Sequence, residues 1–136
     1  MKVLLDLNVL MDFLLARIPW NVEADALWDA HLDGRCTLLV SAASLPTAFY
    51  LAQRAGGEQF AFKGIRLTVA TVKIIAVDAN HVESALAMLG RDFKDNLQIA
   101  CAIENRADVI VTRNTQDFVA SPITVMTPTE LLATLP

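Results

Sequence analysis

Acidic and polar side chains stand directly after short apolar runs at several separate points of the chain. Asp6 follows Val-Leu-Leu near the start, and Asn8 comes two residues later. Asp95 lies near the start of a helical pattern much further along, and Asp117 lies in a polar segment after another apolar run. Carboxylates that converge without basic partners repel one another, and a divalent cation relieves that repulsion. If the fold gathers them, these acids are candidate metal ligands.

The candidate ligands are all oxygen donors, which predicts Mg²⁺ or Mn²⁺ as the bound ion. Zinc sites use clustered His and Cys side chains, and this sequence has no such cluster. His31 and His81 fall on predicted helices away from the strand ends, so ordinary structural roles are expected for them. Cys36 and Cys101 are expected to be two buried thiols in a reducing cytoplasm.

Other polar side chains flank the three acids, and each has a structural interpretation beside the functional one. Asn8 can cap the helix that follows it, and Asp92 can cap the helix that carries Asp95. Thr112 and Asn114 offer oxygen ligands or hydrogen-bond partners, but they also suit an ordinary polar loop. We expect these four residues to support the site.

Four basic side chains lie near the same candidate site. They can hold the phosphates that flank a scissile bond, or they can be solvated surface groups. The chain carries 15 acids against 11 bases, a net charge of −4, so it lacks the basic footprint of a protein that tracks a duplex. Any nucleic-acid contact is therefore expected to be short and local. The four bases are Arg17, Arg91, Lys94 and Arg113.

Five short apolar runs that alternate with helical patterns must position these side chains. Consecutive apolar positions rich in Val, Ile and Leu are typical of strands buried on both faces of a parallel sheet. The alternation predicts a three-layer α/β sandwich with a mostly parallel central sheet of five strands. Right-handed crossovers place the carboxyl ends of the strands at one edge, where ligands bind. The predicted strands are 2–5, 37–40, 73–77, 109–111 and 123–126.

The helical patterns and the composition indicate a single domain over residues 1–136. No apolar stretch reaches the roughly 20 residues that a membrane-spanning helix needs, and no secretory signal is expected. These features predict a cytoplasmic protein without membrane contact. The predicted helices are 9–16, 20–33, 43–55, 58–72, 80–89, 93–106 and 128–135.

The ordered set of these motifs resembles the PIN-domain family over essentially the whole chain. No single motif is highly specific, but their order along the chain is. The carboxyl-terminal segment around Thr127 and Glu130 is also similar. The segments that carry the resemblance are Asp6-Leu-Asn8, Asp92-Phe-Lys-Asp95 and Thr112-Arg-Asn114-Thr-Gln-Asp117-Phe118.

The resemblance implies a metal-dependent ribonuclease with a Rossmann-like sheet. It implies that Asp6, Asp95 and Asp117 form the acidic catalytic and metal-binding site. Many small members are toxins of toxin–antitoxin pairs, so the implied partners are an RNA substrate, an antitoxin protein and a second copy in a homodimer. The substrate is expected to be single-stranded, because a flexible strand can thread an acidic cleft more easily than a duplex. The segment 58–72 is more apolar than one helix face needs, which suits a homodimer or an antitoxin surface as well as core packing.

This sequence departs from the family pattern at two positions. Thr47 stands where PIN domains usually carry a second-site acid, and Asn114 stands where Asp is common. Both replacements lower the negative charge of the site, which leaves open whether one or two metal ions bind. Asp92 can compensate from one helical turn away.

Two other functions remain open at the level of the sequence. Asp6-Leu-Asn8 also resembles the start of phosphatases that use an aspartyl nucleophile, although Asn8 cannot serve as their usual general acid. A catalytically weak or inactive PIN-like domain that only binds a partner is the second alternative. It predicts no nuclease activity with any metal ion.

Overall fold

The computed structural model describes all residues 1–136 and contains one sheet of five parallel strands. The strands lie in the order β3-β2-β1-β4-β5, and every neighbouring pair is parallel. The predicted parallel α/β architecture is therefore confirmed. The strands are β1 (Lys2–Leu5), β2 (Thr37–Ser41), β3 (Lys73–Ile75), β4 (Val109–Val111) and β5 (Thr124–Met126).

Strand β1 occupies the centre of the sheet, which explains its uninterrupted apolar sequence. Leu4 lies opposite Leu39 of β2 on one side and opposite Ile110 of β4 on the other. Because neighbouring strands cover both edges of β1 and helices cover both faces, Val3 and Leu4 are fully buried. The strand order reverses between β1 and β4, and such a switch point is where open parallel sheets form ligand crevices.

Seven α-helices cover the two faces of the sheet. One apolar core joins the sheet to α1, α2, α3, α4 and α7, and a second core joins the opposite face to α6. The result is the expected sandwich of three layers. No helix combines the length and the apolar character needed to cross a membrane. The helices are α1 (Leu7–Leu14), α2 (Asn21–Leu32), α3 (Leu45–Gly56), α4 (Glu58–Thr71), α5 (Ala79–Ala87), α6 (Phe93–Glu104) and α7 (Pro128–Thr134).

The start of α1 differs from the sequence prediction. Asp6 is its N-cap, because the Asp6 carboxylate accepts a hydrogen bond from the Leu7 N–H at 2.8 Å. The helix therefore begins at Leu7, two residues earlier than expected. The interpretation of Asn8 as the cap is wrong, since Asn8 lies within the first turn of α1.

Short 3-10 helices account for two other differences. Residues Ala42–Ser44 form one of them ahead of α3, and residues Thr115–Phe118 form another after β4. Both follow a strand at the edge where the candidate ligands lie, and helical periodicity over so few residues is too short to detect in a sequence. Strand β3 ends at Ile75 rather than at residue 77. Thr127 caps α7 with Pro128 in its first turn, as predicted.

The histidines and cysteines have structural surroundings. His31 of α2 hydrogen-bonds the Thr71 carbonyl at the end of α4, at 2.7 Å. His81 takes part in the N-terminal capping box of α5. Cys36 and Cys101 are buried free thiols, and burial raises the pKa of both.

A buried ion pair joins α1 to the segment after β4. Asp12 is 1% exposed, and Arg113 donates to its two carboxylate oxygens from Nε at 2.7 Å and from Nη2 at 3.2 Å. The Arg113 guanidinium also lies 4.0 Å from the centroid of the Trp20 ring. Burial raises the pKa of Asp12, although Arg113 and the charge of Arg17 oppose the shift. The pair fixes the loop that follows β4 against α1.

Replacing Arg113 is expected to destabilise the fold, because it leaves the buried Asp12 carboxylate with only the more distant Arg17 guanidinium, 3.8 Å away, as a charged partner. Arg113→Ala should lower the free energy of unfolding by about 2 to 3 kcal/mol, somewhat below a fully buried pair because Arg113 keeps some contact with water. Arg35→Ala, which removes an exposed pair with Asp33, should cost less than about 1 kcal/mol. Urea unfolding of both variants measures these losses, and equal losses of unfolding free energy in Arg113→Ala and Arg35→Ala would contradict the prediction.

Candidate functional site

Asp6 and Thr112 meet where the central strands β1 and β4 end. The Asp6 N–H donates to the Val111 carbonyl at 2.9 Å, which extends the β1–β4 pairing to the last residue before the site. The Thr112 hydroxyl then donates to Oδ2 of Asp6 at 2.8 Å. Both residues are buried, with Asp6 5% exposed. The pairing of the strands thus holds a carboxylate at the sheet edge with neutral hydrogen-bond donors only.

The Thr112 hydroxyl is the centre of a small hydrogen-bond network. It accepts from the Asn8 side-chain amide at 3.3 Å and from the Asn114 N–H at 3.1 Å. The Asn8 side-chain oxygen accepts from the Arg113 N–H at 3.4 Å. Asn8 therefore ties α1 to the loop after β4, and Asn114 contributes its backbone to the same arrangement. Both support Asp6 indirectly.

Asp95 reaches the site from the first turn of α6. Asp92 is the N-cap of this helix, and its carboxylate accepts from the Asp95 N–H at 3.2 Å, which confirms the capping interpretation of Asp92. The Asn96 side-chain amide donates to the Ala85 and Gly90 carbonyls at 3.2 and 2.9 Å, and these bonds hold the segment before the helix. Asp95 is 4% exposed.

Lys94 forms an ion pair with Asp95 inside the site. Its ammonium Nζ lies 2.8 Å from Oδ1 of Asp95, while the Lys94 side chain is 61% exposed overall. Burial favours a lower pKa for Lys94, but the hydrogen bond to Asp95 and the charges of Asp6, Asp95 and Asp92 raise it overall. Burial raises the pKa of Asp95; the Lys94 contact opposes this, and the charges of Asp92 and Asp6 reinforce it. Of the three candidate ligands, Asp95 is the one that forms an ion pair.

Asp117 lies between two neighbouring cavities that contain the other acids. It is exposed on the 3-10 helix Thr115–Phe118, and the buried Phe118 ring anchors that helix to the core, as the sequence indicates. One cavity, of about 420 Å³, brings Asp117 beside Asp95, Asp92 and Arg91. The second, of about 220 Å³, is lined by Asp6, Asn8, Arg17, Lys94, Asn114 and Asp117.

The four predicted phosphate-binding bases fall into two groups. Arg17, Arg91 and Lys94 line the two cavities, although the Arg17 guanidinium also lies 3.8 Å from Asp12 and Lys94 contacts Asp95. The Arg113 guanidinium is instead engaged by Asp12 and Trp20, so the structure gives it a role in holding the loop.

The donor set suits a hard divalent ion by its chemistry. Two buried carboxylates, those of Asp6 and Asp95, are accompanied by the exposed Asp117, and no His or Cys lines either cavity. In the present side-chain arrangement, no group of three acidic, His or Cys residues lies close enough to enclose an ion. A metal ion would therefore bind through few protein ligands and keep water in its shell, as Mg²⁺ commonly does.

A smaller neighbouring cavity was not foreseen from the sequence. It holds about 60 Å³, and its polar lining contains hydroxyl groups, one amide and Lys94. Gln98 is 5% exposed and contacts the Ser44 hydroxyl at 3.5 Å. The spacing from Asp95 to Gln98 places both on one face of α6, which is the signal that would have found Gln98. The remaining polar lining residues are Ser41, Ser44 and Thr47.

A comparison with protein-family models identifies the family to which this chain belongs. The chain matches the PIN domain family over residues 2–116. It belongs to that family. PIN domain nucleases generally use divalent metal ions, which agrees with the oxygen-donor character of this site. The predicted family is therefore confirmed.

Solved structures that share the fold include chains from a DNA-bound VapBC, a toxin–antitoxin complex and a VapC toxin. A chain of DNA-bound VapBC from Salmonella typhimurium is 18% identical, with a TM-score of 0.73 over 94% of this PIN domain and 98% of that chain. A chain of a toxin–antitoxin complex from Klebsiella pneumoniae is 26% identical, with a TM-score of 0.69; the match covers 93% of this chain and 97% of that chain. VapC20 from Mycobacterium tuberculosis, a sarcin-ricin loop cleaving toxin, is 17% identical, with a TM-score of 0.66. The match covers 79% of this chain and 86% of that chain. No curated protein matches the chain significantly.

Removing the Thr112 hydroxyl is expected to disrupt the hydrogen bonds of the site and to lower the free energy of unfolding. Thr112→Val deprives Asp6 of a donor and leaves the Asn8 amide and the Asn114 N–H without their acceptor, at a cost of about 2 to 3 kcal/mol in the free energy of unfolding. Thr68→Val is the matched control, since Thr68 is equally buried but bonds only the Gly64 carbonyl of its own helix. It should cost less than about 1 kcal/mol. Denaturant unfolding measures both variants, and equal losses of unfolding free energy in Thr112→Val and Thr68→Val would contradict the network.

Proposed function

We propose that this PIN domain is a metal-dependent endoribonuclease that hydrolyses phosphodiester bonds of single-stranded RNA. The observation that carries the proposal is the position of buried Asp6 and Asp95 beside one pair of cavities at the switch point of the sheet. Burying two carboxylates near each other is unfavourable unless cations compensate them, and Lys94 contacts only one of the two, Asp95. Family membership supports a nuclease as that use.

The three acids have two roles in this proposal. Asp6 and Asp95 hold Mg²⁺ or Mn²⁺, directly or through water, and Asp117 completes the shell or orients the attacking water. When bound, the metal ion supplies a lowered pKa for water and compensates the charge that develops on the phosphate. Thr112 and Asn8 keep the Asp6 carboxylate oriented through their hydrogen bonds.

The charges around the cavities favour a short, flexible strand as substrate. The protein is acidic overall, with a net charge of −4, so it offers no extended basic surface to a duplex. Arg17, Arg91 and Lys94 line the two cavities, and they can contact the phosphates on either side of the scissile bond.

We further propose that the protein is the toxin of a toxin–antitoxin pair in the cytoplasm. Its structural neighbours come from VapBC and toxin–antitoxin complexes, which supports an antitoxin as protein partner. The hairpin formed by α3 and α4 offers an apolar surface for the antitoxin or for a second copy of the chain in a homodimer. The exposed side chains on this surface are Tyr50, Phe60, Phe62, Leu67 and Val69.

The two alternatives from the sequence receive different support. The Asn8 amide is engaged by Thr112 and by the backbone of Arg113, and the chain belongs to the PIN family, so nothing favours the aspartyl phosphatase. The ion pair between Lys94 and Asp95 favours the weak or inactive partner-binding domain, since it occupies a carboxylate that the metal needs. Cleavage assays separate that alternative from the nuclease.

Removing either buried acid should abolish cleavage. On a labelled single-stranded RNA pool with Mn²⁺, Asp6→Asn and Asp95→Asn should each lower the rate at least about 100-fold, because each removes a metal ligand. Asp25→Asn, the same change at an exposed acid of α2, should leave the rate unchanged. Equal cleavage by wild type and Asp95→Asn removes Asp95 from the mechanism. No cleavage by any protein supports the partner-binding domain.

Metal binding should also stabilise the native state independently of activity. If Mn²⁺ binds only the folded chain, the melting temperature should rise steadily as the Mn²⁺ concentration increases above the Kd. The rise should disappear in Asp6→Asn and persist in Asp25→Asn. Differential scanning fluorimetry measures it, and a folded Asp6→Asn protein with an unchanged rise would exclude Asp6 as a ligand.

A further inference from the structure

We infer that the site binds a single divalent metal ion and that Lys94 supplies the second positive charge beside it. The inference rests on the proposed function, because it concerns how many ions the same site takes. Its basis is that the Lys94 ammonium contacts Asp95, while Lys94 lines both the cavity that contains Asp6 and Asp117 and the small cavity whose other polar groups are neutral.

The Lys94 ammonium contacts one of the carboxylates that a metal ion would use. It lies 2.8 Å from Oδ1 of Asp95, and Lys94 lines the cavity that also contains Asp6 and Asp117. The side chain is 61% exposed, so packing does not fix it there. Electrostatic attraction to the acids is what places the ammonium on Asp95.

The other side of Lys94 offers no carboxylate for a second ion. Lys94 also lines the small cavity next to α3, whose remaining polar groups are the neutral side chains of Ser41, Ser44, Thr47 and Gln98. A divalent ion there would meet only neutral hydroxyl and amide groups and the positive charge of Lys94. Such a position is unfavourable for a dication.

The charge of the site leaves little to compensate a second divalent ion. Asp6, Asp95 and Asp117 contribute three negative charges, and the bases Lys94, Arg91 and Arg17 line the same two cavities. Asp92 adds a fourth carboxylate, but it is exposed at the rim and its carboxylate caps α6. Water screens its charge more strongly than the buried charges of Asp6 and Asp95.

Lys94→Gln tests the inference, because glutamine removes the charge from a side chain that makes little packing contact. Calorimetric titration of the intact chain with Mn²⁺ alone should give one equivalent for the wild type. Lys94→Gln should bind its first Mn²⁺ about tenfold more tightly, since the ion no longer competes with the ammonium for Asp95. Lys94→Arg should retain the affinity of the wild type. Lys63→Gln, the same change at an exposed lysine of α4 outside both cavities, should also retain it.

The outcomes separate this inference from the proposed function. Two equivalents in the wild type, or an unchanged or weaker affinity in Lys94→Gln, would overturn the inference. If the wild type still cleaves RNA with Mn²⁺ in that case, the proposed function stands without it. If neither protein binds Mn²⁺ and both retain their native unfolding transitions, the inference fails together with the metal-dependent mechanism.

Discussion

The site depends on the parallel pairing of β1 with β4. These strands are far apart in the chain, and their pairing continues through the Asp6 N–H to the Val111 carbonyl, so that Asp6 and Thr112 end adjacent strands side by side. The 2.8 Å hydrogen bond between them follows from that register. Because Asp6 also caps α1, the same carboxylate that serves the site fixes where the first helix begins. Displacing this residue would therefore disturb the site and the helix together.

Three buried carboxylates near this edge are compensated in three different ways. Asp12 is held by the guanidinium of Arg113 and has a structural role. Asp95 is paired with a largely exposed lysine, and Asp6 accepts hydrogen bonds from neutral donors only. Exchangeable or incomplete compensation suits an ion-binding site, whereas the bidentate pair suits a permanent support. The difference in partners thus separates Asp6 and Asp95, the proposed metal ligands, from Asp12.

Membership of the PIN family and the details of the site carry different information. The structures compared above are between 17% and 26% identical to this chain, so what they share with it is the arrangement of strands and helices. The neutral Thr47 and Asn114 and the basic Lys94 belong to this sequence. They reduce the negative charge at the edge, which connects the composition of the site to the number of ions it can hold. The fold supplies the location, and these few side chains set its electrostatics.

The sequence alone determined the alternation of strands and helices, the parallel sheet, and the acids that end its strands. Strands buried on both faces need consecutive apolar residues, and these are visible in the sequence. Helix caps are also visible, because they depend on local residues, as at Asp92 and Thr127. Only the tertiary structure decided which partner each charge has. The Arg113–Asp12 contact spans 101 residues, so no local pattern predicts it, and the sequence does not show that Arg113 and Arg17 both lie beside Asp12. Lys94 is adjacent to Asp95 in the chain, but its long side chain could point into solvent or toward that carboxylate. The fold places the negative charges of Asp6 and Asp92 near Lys94, and these charges favour the contact with Asp95.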